Sequence, residues 1–270
     1  MSIVFGTDDV GPLKYLLSLE ENFEKVSWVS GKLTKSYLRN KHKISTINNK
    51  TCSLIVTGTS LGDSLDKNLI KKAKEKNIPS VSIIEHWSWY KKRFELNGEL
   101  ILPDFIIVND EFAKNQAIRE GLPIKKIFVG GNPYLEQISN SKLPQINVEL
   151  WKRKHGINGR KVILFISESI KNSFVIGTDD YLGYDEFKVI NDIIESLPKK
   201  SVLCIKTHPE EKKNKYEYLQ SLGVKVFDQM SFEEMVQIPD VVTGMASMLL
   251  IELAMFRDDI ISYRPNANKE

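Results

Sequence analysis

Residues 224–262 read VKVFDQMSFEEMVQIPDVVTGMASMLLIELAMFRDDIIS, and the pattern of this stretch decides the fold class. Three short apolar runs rich in Val and Ile are separated by two amphipathic segments; the runs are 224–227, 240–243 and 259–262. Such runs predict strands that are buried on both faces, and the segments between them predict helices. Strands that alternate with helices in this way form a parallel sheet. The stretch therefore predicts an α/β domain with a doubly wound sheet.

The same alternation extends along the rest of the chain. In this half it predicts further strands at 161–166 and 201–205, and helices at 184–197 and 210–222. Within 224–262, Ser231 and Glu234 have the spacing of a capping box at the start of a helix. In the first half the alternation predicts strands at 2–5, 25–29, 54–57, 79–84, 104–108 and 126–129.

The polar segment 139–147, which contains a proline, separates the two halves and is the predicted linker. We therefore predict two Rossmann-like domains facing each other across a cleft, the first at 1–140 on the acceptor side and the second at 148–270 for the nucleotide. A chain of 270 residues is long enough for two such domains. It ends just after a predicted strand, and we expect covering C-terminal elements of the second domain to be missing.

Composition and charge exclude several classes of protein. The net charge is +3, from 38 basic and 35 acidic residues, which lacks the basic excess of a nucleic-acid-binding protein. Cys52 and Cys204 lie in or beside apolar runs, which predicts free thiols. There is no Cys or His spacing typical of a metal site. No apolar run approaches the ~20 residues of a membrane span. We expect a cytoplasmic protein, and the mild positive charge is compatible with peripheral association at the inner face of a membrane.

The residues after the predicted strand 201–205 are the first candidates for chemistry, because parallel α/β sheets bind ligands at the carboxyl ends of their strands. They are Lys206, Thr207, His208 and Pro209. Proline is favoured at the first position of a helix, which predicts His208 at a helix start, where a phosphate can bind. Its imidazole could donate to a phosphate oxygen or act as general acid. The alternative is that His208 only caps the helix.

A second candidate segment follows the predicted strand 240–243. Gly244 permits close approach of the backbone, and Ser247 can cap a helix whose first amides would hold a diphosphate. Glu252 is a charge within an apolar helix, where a ribose diol or a salt bridge could be its partner. Together with the residue that follows strand 161–166, the predicted nucleotide-binding residues are Ser167, Lys206, His208, Pro209, Gly244, Ser247 and Glu252.

Two segments of the first half carry acids and aromatic residues. Asp8 and Asp9, followed by Gly11, come after the first strand, and either acid could remove a proton from an acceptor hydroxyl. The alternative is an Asp that caps the next helix. After the strand 79–84 come aromatic and charged residues suited to stacking on a sugar ring or a base edge, and the alternative is an aromatic loop that packs on the neighbouring domain. The predicted catalytic residues are His208, Asp8 and Asp9, and the predicted acceptor- or sugar-binding residues are Gly11, Glu85, His86, Trp87 and Arg93.

Two motifs support a resemblance to known families. Lys206-x-His208-Pro209, together with Thr243-Gly-x-x-Ser247-x-x-x-x-Glu252, resembles the donor half of GT-B glycosyltransferases, including the capsule and teichoic-acid transferases. The same motifs resemble the UDP-N-acetylglucosamine 2-epimerases, whose Gly-Asn segment is similar to 129–133 here. Asp8-Asp9-Val-Gly11 is similar to the acidic motif of bacterial sialyltransferases, with one extra residue before the glycine. Two departures are Met248, where a second serine is common, and Ser167-Glu168-Ser169, where the epimerases are Arg-rich.

The resemblance implies an enzyme that transfers a sugar or a polyol phosphate from a CMP-, CDP- or UDP-activated donor. The implied acceptor is a glycan or lipid-linked glycan of a bacterial surface polymer, and no metal or cofactor is expected. The adjacent pair Asp179-Asp180 lacks the spacing of a metal-binding Asp-x-Asp motif. The alternatives are an isomerase or hydrolase of the 2-epimerase type, which acts without an acceptor, and a non-catalytic module that binds nucleotide sugars.

Overall fold

The computed structural model describes residues 2–31, 34–38, 52–174, 176–178, 181–209 and 211–267. The chain divides into two compact units, Met1–Gln137 and Ile138–Glu270, and each contains a parallel sheet of its own. The prediction of two Rossmann-like α/β domains is therefore confirmed. His42, Asp179, Asp180 and Glu210, the first residue of the helix predicted at 210–222, lie outside the described residues.

The first unit is built on a six-stranded sheet of order β2-β1-β3-β4-β7-β8, in which every pair of neighbours is parallel. Its strands are β1 Ser2–Thr7, β2 Val26–Ser30, β3 Cys52–Thr57, β4 Ser80–Ile84, β7 Phe105–Val108 and β8 Ile127–Val129, with a hairpin of β5 Glu95–Leu96 and β6 Glu99–Leu100. Its helices are α1 Val10–Glu20, α2 Lys35–Leu38, α3 Leu65–Glu75, α4 Glu111–Arg119 and α5 Pro133–Ser139. Short 3₁₀ turns lie at Lys92–Phe94 and Ile124–Lys126.

Neighbouring residues of β1 show why this sheet is covered on both faces. Phe5 packs with Leu13 and Trp28 in a cluster on the α1 side, whereas Val4 packs with Leu69 in a separate cluster on the α3 side. Successive side chains of a strand point to opposite faces, so an unbroken apolar run needs a helix on each side.

The second unit contains a five-stranded parallel sheet of order β11-β10-β9-β12-β13. Its strands are β9 Lys161–Ile166, β10 Ser201–Lys206, β11 Lys225–Phe227, β12 Val241–Gly244 and β13 Ile260–Ser262. Its helices are α6 Val148–Lys154, α7 Ile170–Ser173, α8 Glu186–Glu195, α9 Phe232–Gln237 and α10 Met248–Ala254, with a 3₁₀ helix at Glu217–Leu222. Every strand that the sequence predicted is present within a few residues of its predicted ends.

The predicted linker is irregular after α5 and is attached to the second unit. The Ile146 amide donates to Gln237 Oε1 at 2.9 Å, and Gln237 Nε2 donates to the Pro144 carbonyl at 2.7 Å. Ile146 also packs against the core of the second unit. The end of the linker is thus held by α9.

The predicted helix at 210–222 is wrong. Residues 211–216 form turns and irregular structure, and Glu217–Leu222 forms a 3₁₀ helix, which ends at Gly223 with a φ of +79°. Glu211, Lys215 and Tyr216 of this segment take part in a buried polar network, which is described below. The hairpin β5–β6 was not predicted, although its Asn97-Gly98 turn, with φ of +53° and +81°, is a standard hairpin signal.

Replacement of Ser231 by Ala should lower the free energy of unfolding by about 1 kcal/mol. Ser231 Oγ accepts from the Glu234 amide at 3.2 Å, and Glu234 Oε2 accepts from the Ser231 amide at 2.8 Å, so the predicted capping box is confirmed. Urea unfolding of Ser231→Ala, with the exposed Ser221→Ala as control, measures the effect. Equal stability of the two variants would show that the box adds nothing.

Candidate functional site

The carboxyl ends of β1, β3, β4 and β7 lie side by side in the first sheet. The segments that follow them are Asp8 and Asp9, residues 58–64, Glu85 and Asn109. The sheet order therefore brings the predicted acids after β1 close to the predicted acid after β4. Asn109 Nδ2 donates to the Glu85 carbonyl at 2.7 Å and fixes the backbone of that residue.

Asp8 and Asp9 have different surroundings. Asp8 Oδ2 accepts from the amide of Leu65, the first residue of α3, at 2.5 Å. Asp9 is the N-cap residue of α1, yet its side chain makes no capping hydrogen bond. The Asp8 carboxylate thus stabilises a helix start, whereas the half-buried Asp9 carboxyl remains the better candidate for proton transfer. Burial and the charge of Asp66 raise the pKa of Asp9.

Glu85 is 6% exposed, and its carboxyl lies against the first turn of α1. A Cβ on Gly11 would come within 3.0 Å of Glu85 Oε1, so the absence of a side chain at 11 makes room for this carboxyl. Among the described residues Glu85 Oε2 has no hydrogen-bond partner. Burial raises the pKa of Glu85 to about 7, against the opposing effect of the Arg93 charge.

Arg93 is buried and joins two loops of this edge. Its Nε donates to the Ser88 carbonyl at 3.0 Å, and Nη1 donates to the Thr59 carbonyl at 2.9 Å. Trp87 Nε1 donates to Asp110 Oδ2 at 2.7 Å, and His86 Nδ1 is 2.8 Å from Ser88 Oγ. These contacts order the loop after β4, while direct sugar binding by Arg93, His86 and Trp87 stays a prediction.

The acids Asp9 and Glu85 and the cation Arg93 form a charge cluster at this edge of the sheet. Two further charged residues, Asp66 and Lys67, belong to the cluster and were not found from the sequence. Lys67 is fully buried, and its Nζ donates to the carbonyls of Ser60 and Gly62 at 2.8 and 2.7 Å. Burial lowers the pKa of Lys67. Asp66 is 1% exposed, and burial raises its pKa. The sequence does contain a signal that Asp66 is buried. Asp66 lies on the same helical face as Leu69, at i+3, and Ala73, at i+7, and this is the buried face of α3.

Replacement of Glu85 by Gln should flatten the pH dependence of stability. A carboxyl whose pKa is higher in the folded protein stabilises it below the unfolded pKa, and that stability is lost as the pH rises through the folded pKa. A rise from 4.5 to about 7 corresponds to a loss of about 3 kcal/mol between pH 4.5 and pH 8. Urea unfolding across this range should show Glu85→Gln more stable than wild type at pH 8. The exposed Glu24→Gln is the control, and parallel curves for wild type and Glu85→Gln would contradict the prediction.

In the second unit, the loop after β10 differs from its prediction. The Lys206 Nζ atom donates to the carbonyls of Thr207 and Asp228 at 2.7 and 3.0 Å. His208 is half-buried, and its amide donates to Glu211 Oε2 at 2.9 Å. Pro209 lies in a turn, in which the Glu211 amide donates to the His208 carbonyl at 3.0 Å, and no helix follows at 211–212, so the prediction of a helix start beside His208 is wrong.

A buried polar network holds this loop in place of a helix. Glu211 Oε1 accepts from Ser167 Oγ at 2.8 Å and from Lys215 Nζ at 2.6 Å, and Lys215 also forms a short ion pair with Glu186 of α8. Ser167 Oγ lies 2.5 Å from the hydroxyl of the buried Tyr216. The side chains of Glu186 and Glu211 are fully buried. Ser167, a predicted nucleotide-binding residue, therefore directs its hydroxyl into this network.

The loop between β12 and α10 is contacted by a carboxyl group from the segment after β9, that of Glu168, to which the sequence analysis assigned no role. Glu168 Oε2 accepts from the Ala246 amide at 2.8 Å, and burial raises the pKa of Glu168 to about 7. Ser247 is the N-cap of α10, as predicted, and its Oγ accepts from the Leu249 amide at 3.2 Å. An internal carboxylate thus occupies a donor of the loop for which the sequence predicted a diphosphate.

Two predicted nucleotide-binding residues, Gly244 and Glu252, lie in packed surroundings. A Cβ on Gly244 would come within 3.1 Å of the Ile166 carbonyl and of the Leu250 side chain, so the glycine allows close packing of β12. Glu252 is 4% exposed on the inward side of α10.

An open depression of about 530 Å³ lies at the carboxyl ends of β10 and β11. The residues that line it are Lys206, Asp228, Gln229, Met230, Ser231 and Glu234. Of these, only Lys206 was a predicted site residue. Among the described residues, no group of three His, Cys, Asp or Glu side chains is placed to hold a metal ion. In the same part of the chain, no helix is long and apolar enough to cross a membrane.

No protein-family model and no curated protein matches this sequence. Solved structures with the same fold include a UDP co-structure of MnaA from S. aureus, with a TM-score of 0.64 and 14% identity over 98% of this chain and 79% of that one. Anabaena HepE in complex with UDP and glucose has a TM-score of 0.66 and 12% identity, over 97% and 80%.

UDP-GlcNAc 2-epimerase from Methanocaldococcus jannaschii, in complex with UDP-GlcNAc and UDP, has a TM-score of 0.60 and 16% identity, over 98% and 84%. These likenesses confirm the predicted fold, a two-domain α/β architecture of the GT-B type shared with UDP-GlcNAc 2-epimerase-like proteins.

Proposed function

We propose that this chain is a nucleotide-sugar-dependent glycosyltransferase that works without a bound metal and transfers a sugar to a hydroxyl of a glycan or lipid-linked glycan acceptor. The observation that carries the proposal is the Asp9 carboxyl, which stands at a helix start without capping it and belongs to the same charge cluster as the buried Glu85. A carboxyl with a raised pKa at the carboxyl edge of a parallel sheet suits general-base catalysis.

The second unit is the proposed donor site. The depression beside Lys206 offers backbone and side-chain hydrogen-bonding groups at the ends of two neighbouring strands, the usual position for a nucleotide in this class of sheet. Solved proteins of the same fold bind UDP, UDP-glucose or UDP-GlcNAc, which supports a uridine nucleotide as the first choice over CMP or CDP. His208, Ser247 and Glu252 remain proposed contacts of the donor.

In the proposed reaction, Asp9 accepts the proton of the acceptor hydroxyl. The acceptor oxygen then forms a bond to the anomeric carbon, and the bond from that carbon to the phosphate oxygen breaks with its electron pair on the phosphate. His208 stabilises the phosphate charge by hydrogen bonding. The buried Glu211 holds the His208 backbone in position for this contact.

An isomerase or hydrolase of the 2-epimerase type is the second candidate. It is supported by the resemblance of 129–133 to the Gly-Asn segment of the epimerases and by three carboxyls with raised pKa in the first unit, which suit proton transfer. The acidic Ser167-Glu168-Ser169 segment, in place of an Arg-rich one, favours the transferase.

Incubation with UDP-, CDP- and CMP-sugars, with and without glycan acceptors, separates the candidates. A transferase forms a new glycoside and releases nucleotide faster with acceptor. An epimerase changes the donor sugar without acceptor, which NMR of the sugar protons detects. Calorimetric binding of UDP without turnover of any donor would indicate a non-catalytic module. No binding at millimolar nucleotide would contradict all three.

Replacement of His208 by Ala should lower the rate of donor turnover on the order of 10²-fold, the typical effect of removing one donor to a developing oxyanion. His208 is half-buried in a turn, so the free energy of unfolding should change by less than about 1 kcal/mol. Steady-state kinetics and urea unfolding measure the two effects. The exposed Lys212→Ala, in the same loop, is the control and should keep the wild-type rate. Wild-type turnover by His208→Ala would remove His208 from the mechanism.

A further inference from the structure

One edge of the second sheet carries an excess of positive charge. It lies where α6 ends and where β9 and β10 begin, so it is the amino edge of the sheet. The residues of this basic edge are Arg153, Lys154, Arg160, Lys161, Lys199 and Lys200. All of them are exposed except Arg160, which is half-buried. Among the described residues, none of the six forms an ion pair.

Backbone contacts bring these cations together from three segments of the chain. The Lys161 amide donates to the Lys200 carbonyl at 2.9 Å, which places the start of β9 beside the start of β10. Lys152 Nζ donates to the Arg160 carbonyl at 3.3 Å, which joins the last turn of α6 to the start of β9. The basic edge is therefore one continuous surface of the second unit.

The acids of the neighbouring elements leave most of this charge uncompensated. Asp240, which precedes β12, pairs with Lys152 at 3.7 Å and is thus already balanced by a cation outside the basic edge. Glu195 is the last residue of α8 and is a single acid beside six cations. Like charges held close together repel one another, and an anionic partner removes that repulsion. Charge complementarity therefore indicates a partner with many negative charges.

An exposed leucine lies beside these cations and narrows the choice of partner. Leu150 is 59% exposed, and Arg153 and Lys154 follow it at i+3 and i+4 on the same face of α6, whereas Trp151 is buried. A bilayer surface accepts both kinds of side chain, because lipid phosphates attract the cations and the head-group boundary takes up an apolar side chain. A nucleic-acid backbone offers phosphates but no apolar layer. The combination favours a membrane.

We propose that the basic edge docks the second unit on an anionic phospholipid membrane. The depression lies at the other end of the same sheet, since β10 begins at the basic edge and ends at Lys206, which lines the depression. Six residues of strand span roughly 20 Å, so the depression stays in water while the basic edge lies on lipid. Access to a lipid-linked acceptor at that surface is a consequence that rests on the proposed function, whereas lipid binding does not.

Co-sedimentation with lipid vesicles tests the docking. Vesicles that mix phosphatidylglycerol with phosphatidylcholine should bind the protein, and vesicles of phosphatidylcholine alone should bind it far less. Binding to the mixed vesicles should weaken as salt is added, because dissolved ions screen the attraction between exposed charges. Absence of binding to the mixed vesicles at low salt would overturn the proposal.

Replacement of both Lys199 and Lys200 by Gln tests the surface itself. Each cation near an anionic membrane strengthens binding about 5-fold, so this double variant should bind the mixed vesicles on the order of 30-fold more weakly. The matched control is the double variant Lys212→Gln and Lys213→Gln, an exposed pair in the loop after β10, at the opposite edge of the sheet. The control makes the same change in net charge and should bind as wild type.

Equal losses in the two double variants would show an effect of net charge alone and would overturn the proposal. A second pair on the basic edge checks the result independently, because Arg153→Gln with Lys154→Gln removes two cations from α6 instead of from the start of β10. Its loss of binding should be of the same order as that of the first pair. Wild-type binding by both pairs of the basic edge would also overturn the proposal.

Replacement of Leu150 by Ser separates a membrane from other anionic partners. This variant should bind the mixed vesicles severalfold more weakly with an unchanged salt dependence, because burial of an apolar side chain is not screened by ions. An unchanged affinity would overturn a bilayer as the partner. Tighter binding of duplex DNA than of mixed vesicles, lost when Lys199 and Lys200 are replaced, would do the same and would assign the basic edge to nucleic acid.

Vesicle binding requires no turnover, so the two proposals fail separately. A protein that binds the mixed vesicles but turns over no nucleotide sugar would contradict the proposed function and leave the docking in place. A protein that transfers a sugar but does not bind these vesicles would contradict the docking alone.

Discussion

The parallel pairing of strands is the constraint on which the rest of this structure depends. In a parallel sheet every strand ends at the same edge, so residues far apart in sequence meet there. Asp9, Ser60 and Glu85 follow three neighbouring strands of the first sheet, and the Asp9 amide donates to Ser60 Oγ at 3.2 Å. In the second sheet, Ser167 and Glu211 follow neighbouring strands and share a hydrogen bond. In each unit, parallel strand pairing thus brings together the polar groups that follow neighbouring strands.

The buried carboxyls of the two units differ in their hydrogen-bond partners. In the second unit, Lys215 lies between Glu186 and Glu211, and hydroxyls satisfy further oxygens. In the first unit, one oxygen of each of two buried carboxyls, Asp66 Oδ1 and Glu85 Oε2, has no hydrogen-bond partner among the described residues. A satisfied network stabilises one arrangement, whereas an unsatisfied carboxyl stores free energy that a proton or a ligand can release. For this reason the proposed function assigns proton transfer to the first unit and treats the network of the second unit as a support for its loop.

Errors in the sequence analysis have identifiable physical causes. Residues 210–222 are rich in Lys and Glu and favour a helix locally, but the burial of Lys215 and Tyr216 overrides that preference. Lys67 and Asp66 were missed because charged residues near a helix start normally face solvent. Glu168 was noticed only as a departure from a family pattern, since nothing in its neighbours predicts that it reaches the Ala246 amide.

The sequence by itself determined the two α/β units, the positions of their strands and the residues that follow each strand, because apolar periodicity and turn residues are local properties of the chain. It also predicted the helix caps at Ser231 and Ser247, which depend on contacts two or three residues away. Only the tertiary structure decided which of the acids are buried and which carboxylate caps which helix. Asp8 caps a helix 57 residues away, and Glu85 fits against a glycine of another element. These outcomes depend on packing and desolvation between segments distant in sequence, and no local pattern encodes them.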